Sequence, residues 1–254
     1  MNLLTYNFDL ICHLVRRDFS LRYKRSALGV LWSLMQPLAQ LIVLVFLFGR
    51  VVPLNIEAYP VFVFSALLPW TWFSTCLSSA GSLFAGNRDL VRRPNFIPAN
   101  LVIVNVLSNL LTYLLALPIL FVMLALYDRA MTLTLFFLPL LILIQGILIA
   151  GLGLIIAILN VFYRDVQYIM AVVLMLLFYL TPVFYQPKIV GESYRNLYIL
   201  NPIAVLIESY RAIFFYGTAP EWGALLLVGI ACIVVCGFSY LIYSLLLHEV
   251  IDTI

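Results

Sequence analysis

Residues 133–159 read LTLFFLPLLILIQGILIAGLGLIIAIL, with no Asp, Glu, Lys, Arg or His anywhere in the run. The run sits inside a longer uncharged stretch, 130–163, which separates Arg129 from Arg164 by 34 residues. A helix needs about 20 apolar residues to cross the hydrocarbon core of a bilayer. A membrane β-strand would instead alternate apolar and polar residues over about ten positions, and here the apolar character is continuous. The stretch therefore reads as a transmembrane helix.

Outward from it, the same signature repeats. The other uncharged gaps are 26–49, 58–87, 94–127, 166–187 and 222–248, of 24, 30, 34, 22 and 27 residues. Trimmed to their apolar cores, the six stretches predict spans at 30–48, 62–83, 101–126, 133–159, 169–185 and 223–247. The fifth is the shortest and is expected to kink or to thin the bilayer locally. Pro69, Pro118 and Pro139 lie inside these spans and predict kinks, which membrane helices tolerate when neighbours satisfy the freed carbonyls. Gly146 and Ala150, with Gly151 and Gly153, give a small-residue surface for close helix packing. The expected fold class is an all-α integral membrane protein of six helices over 30–247.

Composition agrees. The 254 residues are 65% hydrophobic and 10% charged, with 14 Lys+Arg and 11 Asp+Glu, against roughly 25% charged in soluble domains. That is too little charge to cover a water-facing surface or to bind a nucleic-acid backbone. The cations are also unevenly placed. Arg16, Arg17, Arg22, Lys24, Arg25, Arg88, Arg92, Arg93 and Arg164 fall on one side of the predicted membrane. Arg50, Arg129, Lys188, Arg195 and Arg211 fall on the other, three of them in the long last loop. The positive-inside rule puts both termini, including the tail 248–254, in the cytoplasm.

Three segments lie outside the spans. In 1–29, Leu4, Phe8, Ile11, Val15 and Phe19 form one apolar stripe, opposite Asp9, His13, Arg16, Arg17, Ser20 and Lys24. A cationic amphipathic helix of this kind lies along the membrane surface. It serves as a topology anchor, or its cations bind anionic headgroups or a lipid-linked phosphate. The connection 86–98, with NRDLVRRPNFIP at 87–98, has room for one or two helical turns before Pro94. It is a positive-inside loop or a docking element for a cytoplasmic partner. In the last extracytoplasmic loop, 186–222, Asn201-Pro202 is a helix start, because Asn caps and Pro suits the first turn. The apolar segment that follows is too short to span, and Glu208 and Arg211 are spaced to pair. It reads either as a re-entrant helix or as a surface helix.

Catalytic chemistry is missing. No span carries an Asp, Glu, Lys, Arg or His at its centre, where proton or ion relays are built. No acid, base or nucleophile cluster is visible, and no phosphate-binding G-x-x-x-x-G-K-[ST] loop. Cys76, Cys232 and Cys236 lie within spans without the partners of a metal site, and Cys12 precedes them; they read as small hydrophobes. A chain of this kind that moves a solute uphill takes its energy from another polypeptide.

Several motifs carry a family resemblance. The segment 17–32, RDFSLRYKRSALGVLW, with Pro37, resembles the amino-terminal segment of type-2 ABC exporter permeases. Tyr163-Arg164-Asp165-Val166, Thr181-Pro182-Val183-Phe184-Tyr185 and Asn201-Pro202 with Glu208 and Arg211 follow in the family's order. The nearest group resembles the exporters of O-antigen, capsule and teichoic acid. Phe96-Ile97-Pro98-Ala99-Asn100 departs from the family's Phe-Pro-charged pattern in the second connection.

The resemblance implies a homodimeric permease in the bacterial cytoplasmic (inner) membrane, with two copies of a separate ATPase subunit. ATP and Mg would be held there, and this chain would need no cofactor or metal of its own. The cargo would be a polyprenyl-diphosphate-linked polysaccharide. Asn87, Arg88, Asp89, Arg92 and Arg93 would dock on the ATPase. Asn201, Pro202, Glu208 and Arg211 would form an outer gate. Arg16, Arg17, Arg22 and Lys24 are candidates for the diphosphate or lipid headgroups, since guanidinium and ammonium groups bind phosphate. Trp32, Phe178, Tyr179 and Tyr185 are candidates for a channel wall that stacks on sugars. A drug or small-lipid exporter of the same superfamily, and an intramembrane enzyme acting on lipid-linked sugar, remain open alternatives.

Overall fold

The computed structural model describes residues 3–23, 31–94, 96–129, 132–189 and 201–254. Among them the chain is helical and has no strand. Helix α1 covers Leu3–Tyr23 and α2 Leu31–Phe46, which ends in a widened turn at Leu47–Val51. Helix α3 covers Tyr59–Ala80, and two short helices follow it, α4 at Ser82–Gly86 and α5 at Arg88–Val91. Then come α6, Ala99–Leu126, and α7, Leu138–Phe162, which is preceded by a 3₁₀ turn at Leu133–Phe137. Last are α8, Val166–Leu180, α9, Pro202–Arg211, and α10, Trp222–Thr253. The stretches Leu31–Val51, Tyr59–Ala80, Ala99–Leu126, Leu133–Phe162 and Trp222–Thr253 are long and apolar enough to cross a membrane. The chain is a multi-pass membrane protein.

The fifth expected span, 169–185, differs. Helix α8 starts at Val166, three residues earlier, and stops at Leu180. Its 15 residues rise only about 22 Å at 1.5 Å each, short of the roughly 30 Å core. The stop is local chemistry. Thr181 is extended, at φ −97° and ψ 137°, as a residue before proline is driven to be. The last helix also runs further than 223–247. It continues through the expected tail to Thr253, and Val250 and Ile254 bury against Phe84, Val91 and Leu101. Pro139 is not an internal kink, because it occupies the first turn of α7, where proline costs nothing. Pro69 and Pro118 are internal to α3 and α6, as expected.

Helix α3 is the axis of the bundle, and every residue from Val61 to Trp70 is buried. Helices α2, α6, α7, α8 and α9 pack around it, and the largest helix pair is α7 with α10. That pair is close because of Gly151. A Cβ there would stand 3.1 Å from the Cys236 backbone nitrogen and 3.1 Å from Val235 Cγ1. Gly146 is merely in ordinary contact with Trp72 at 3.8 Å, so the small-residue seam is centred on Gly151 and not on the Gly146–Ala150 pair. Between apolar helices, such close approach and interhelical hydrogen bonds hold the bundle, since burial against lipid gives little preference for a neighbouring helix.

On helix α1 the inner face is set by Leu14, with Ile11, Val15 and Phe19 half-buried. Phe8 is 68% exposed, while Leu14 is 6% exposed and packs inward. Helix α1 lies against α6. Leu4 and the Lys24–Val30 part of the motif lie outside the residues, or side chains, that are described.

Candidate functional site

At the end of the bundle where α5 joins α3 to α6, polar side chains form a ladder. Arg22 Nη1 donates to Asn109 Oδ1 at 2.7 Å, and its Nη2 pairs with Asp18 Oδ2 at 3.0 Å. One turn below, Asn109 Nδ2 donates to Asn105 O at 2.8 Å and to Asn105 Oδ1 at 2.9 Å. Ser79 Oγ donates to the same Asn105 Oδ1 at 2.9 Å, and Asn105 Nδ2 donates to Cys76 O at 2.9 Å. Asn105 and Asn109 are one turn apart on α6, so both amides share the face toward α3. Each amide is buried and satisfied within this network, and burying an amide is tolerable only when it is. Thr71, Thr75 and Thr112 extend the polar lining toward the middle of the bundle.

A second tie holds the helix ends here. Asn160 Nδ2 donates to Gly81 O at 2.8 Å, and its Oδ1 accepts from Gln167 N at 3.2 Å. One amide thus joins the end of α3, the end of α7 and the start of α8. Helix α5 carries Arg88 and Asp89, with Arg92 and Arg93 just beyond, and all four are exposed. Val91, 1% exposed, anchors them from below, and Asn87 Nδ2 bonds Leu83 O at 2.9 Å. The structure therefore presents the basic connection as a short helix with its charges outward.

The opposite end is organised by one buried cation. Arg211 has 0% exposure. Its Nη2 donates to Pro182 O at 2.7 Å and Val183 O at 2.9 Å, and its Nη1 pairs with Glu208. The guanidinium also lies over Phe62, 3.8 Å from the ring centroid. Burial raises the Glu208 carboxyl above its ordinary value, and Arg211 opposes part of that rise. Asn201 accepts from Ile203 N at 3.2 Å, as the expected cap does, and its Nδ2 donates to Thr181 Oγ1 at 3.2 Å. Tyr59 Oη donates to Phe184 O at 2.9 Å. The turn at 181–185 is thereby held from α3 and α9 together. Helix α9 is buried along Ile203, Ala204, Leu206, Ile207 and Tyr210, packed among α3, α7 and α10. It does not lie on the outside of the bundle.

Of the expected aromatic wall, three members meet. Phe178 is 5.5 Å from Tyr179, 5.6 Å from Trp70 and 5.7 Å from Phe184, and Phe184 is 5.0 Å from Tyr185. Trp32 stands apart from them on α2, 57% exposed. The expected cation set also divides. Arg16 and Arg17 are exposed on α1, Arg22 turns inward to Asn109, and Lys24 lies outside the described residues. The amides Asn105, Asn109 and Asn160 and the hydroxyl of Ser79 were not foreseen. Their signal was present: neutral polar residues one turn apart in otherwise apolar runs, which a search for charges passes over.

Residues 9–215 match the ABC-2 type transporter family. The chain is 38% identical over 215 residues to the O-antigen export system permease protein RfbA of Myxococcus xanthus, covering 84% of this chain and 82% of that one. It is 32% identical over 216 residues to a protein of the same name from Klebsiella pneumoniae, covering 85% and 83%. It is 22% identical over 200 residues to the polysialic acid transport protein KpsM of Escherichia coli, covering 77% of each. With a family match across most of its length and relatives above 30% identity over four-fifths of it, the chain belongs to the ABC-2 type transporter family.

Proposed function

We propose that this chain is the membrane-spanning subunit of an ATP-driven exporter that carries a lipid-linked polysaccharide, of the O-antigen, capsule or teichoic-acid kind, across the bacterial cytoplasmic membrane. The observation that carries the reading is a run of neutral amides and hydroxyls that reaches from one end toward the middle of a bundle whose described spans hold no Asp, Glu, Lys, Arg or His at mid-depth. The hydroxyls of Thr71, Thr75 and Thr112, which line the space beside the buried amides, offer hydrogen bonds to a hydroxyl-rich cargo without binding an ion tightly. Such a run supplies no energy, which supports a separate ATPase subunit. The cargo class is supported by relatives named for O-antigen and polysialic acid.

In this reading two copies of the chain work with two ATPase subunits, and ATP and Mg stay on those subunits. Both termini and α5 face the cytoplasm, as the cation asymmetry requires. Asn87, Arg88, Asp89, Arg92 and Arg93 receive the ATPase stroke. Arg16, Arg17, Arg22 and Lys24 attract the diphosphate of the carrier lipid. Asn201, Pro202, Glu208 and Arg211 control the outer exit, and Phe178, Tyr179 and Tyr185, with Trp32, line the route.

The experiment is deletion of the gene in its host, with complementation. Loss of surface polysaccharide with lipid-linked polymer building up inside is the expected result. Normal surface polymer in the deletion strain would overturn the proposal.

A further inference from the structure

Two clefts meet at Arg22. The larger, about 280 Å3, lies between α1, the junction of α3 with α4, and α6; Arg17, Asp18, Ser82 and Asn87 are on its wall. The smaller, about 100 Å3, continues from Arg22 toward Thr71, Thr75 and Thr112. The larger is close to the roughly 300 Å3 at which pockets begin to take a small ligand or a headgroup, and the smaller extends it. Their lining is foreign to the rest of the bundle surface, which is apolar. Here two guanidinium groups face neutral hydroxyls and amides, with a single carboxylate.

The charges do not cancel. Asp18 is engaged by Arg22, and among the described residues Arg17 has no acidic partner. Arg22 uses one terminal nitrogen on Asn109 and the other on Asp18, which leaves part of its five-donor fork free. Two guanidinium groups from one helix lining a cleft suit the oxygens of a phosphate, which they bind with charge-assisted hydrogen bonds. Ser82 and Asn87 beside them suit hydroxyls on the same headgroup. The cleft opens next to an amphipathic cationic helix, so the phosphate that reaches it is one carried by a membrane lipid.

We infer that the cleft between Arg17, Arg22, Ser82 and Asn87 binds the anionic phosphate headgroup of a membrane lipid, and that the bound headgroup ties α1 to the α4–α5 segment. The inference rests on the proposed orientation of α1 and α5 at one membrane face. It does not depend on the cargo. Arg164 is an exposed cation on the same predicted side of the membrane that does not line the cleft, so it separates binding in the cleft from attraction to a charged surface.

The test uses the full chain purified with its ATPase subunit. It is placed in nanodiscs of phosphatidylcholine alone, with phosphatidylglycerol, or with a prenyl diphosphate, and retained lipid is counted by native mass spectrometry. The wild-type chain is expected to retain an anionic lipid over phosphatidylcholine. Arg17→Gln is expected to weaken retention roughly tenfold, the loss of one charge-assisted contact, while Arg164→Gln holds it at the wild-type level. Preference between phosphatidylglycerol and the prenyl diphosphate identifies whether a bilayer lipid or a carrier lipid occupies the cleft. Arg22→Gln, checked for unchanged helicity, is a second variant on the same wall and is expected to lower retention as Arg17→Gln does. Equal retention by wild type and Arg17→Gln, equal losses in Arg164→Gln and Arg17→Gln, or no preference for either anionic lipid would overturn the inference. Export is scored separately, so a chain that keeps the headgroup but moves no polysaccharide contradicts the proposed function alone.

Discussion

Arg211 Nη2 donates to the Val183 carbonyl at 2.9 Å from a fully buried guanidinium. That bond joins α9 to the turn that ends α8. With Pro182 O, Glu208 and the face of Phe62, it makes Arg211 a tie between the α8 turn, α9 and α3. A planar, forked donor can serve two adjacent carbonyls and a carboxylate at once, which an ammonium on a flexible stem cannot.

Arg211→Met is therefore expected to destabilise the folded chain by about 3–5 kcal/mol, the usual cost of removing one partner from a buried ion pair. Thermal unfolding in detergent measures it. Arg211→Lys should recover less than half of the loss. Full recovery by lysine would show that charge, and not the two-carbonyl grip, is what the site needs.

Gly151 gives a packing prediction. The Cys236 backbone stands 3.1 Å from where its Cβ would be, and backbone cannot rotate away as a side chain can. Gly151→Ala should push α10 from α7 and cost about 1–3 kcal/mol, as overpacking does. Gly229→Ala, with nothing within 4 Å, should be close to neutral in the same assay.

For the ladder, Asn105→Leu removes the acceptor of Ser79 and Asn109 and the donor to Cys76 O. Interhelical hydrogen bonds in membranes are worth about 0.6–2 kcal/mol, so the chain should still fold. Export per ATP hydrolysed should fall several-fold if the ladder contacts cargo. Wild-type export from a folded Asn105→Leu chain would remove the ladder from the transport route.

The exposed cations of α5 predict a coupling defect. Reversing Arg92 and Arg93 to Glu leaves Val91 and the bundle untouched. It should reduce ATPase copurification and cargo-stimulated hydrolysis by about tenfold, the effect of losing one or two rim charge pairs. If both stay at the wild-type level, the basic connection is only a topology signal.

The spans were legible because lipid imposes a one-dimensional rule: long uncharged runs must be helices. The cap at Asn201, the first turn at Pro202, the Glu208–Arg211 pair and the helical turn between Gly86 and Pro94 were legible because each depends on neighbours in sequence. The end of α8 at Thr181 was within reach too, since Pro182 restricts the residue before it, but apolar character carried the reading on to Tyr185. What hydropathy could not give was direction. The burial of Leu14 and the inward turn of Arg22 follow from contact with α6, which no local pattern encodes. Nor could it say that the Arg211 guanidinium grips the carbonyls of a turn 28 residues away.

The most direct measurement of the central claim is translocation in a defined system. The chain and its ATPase subunit are reconstituted into vesicles loaded with a lipid-linked polysaccharide, and appearance of polymer on the far side is followed with and without ATP. ATP-dependent appearance that requires both polypeptides, and stops when the ATPase subunit carries a hydrolysis-blocking substitution, is the result predicted. Translocation by this chain alone, or with the blocked ATPase, would contradict it.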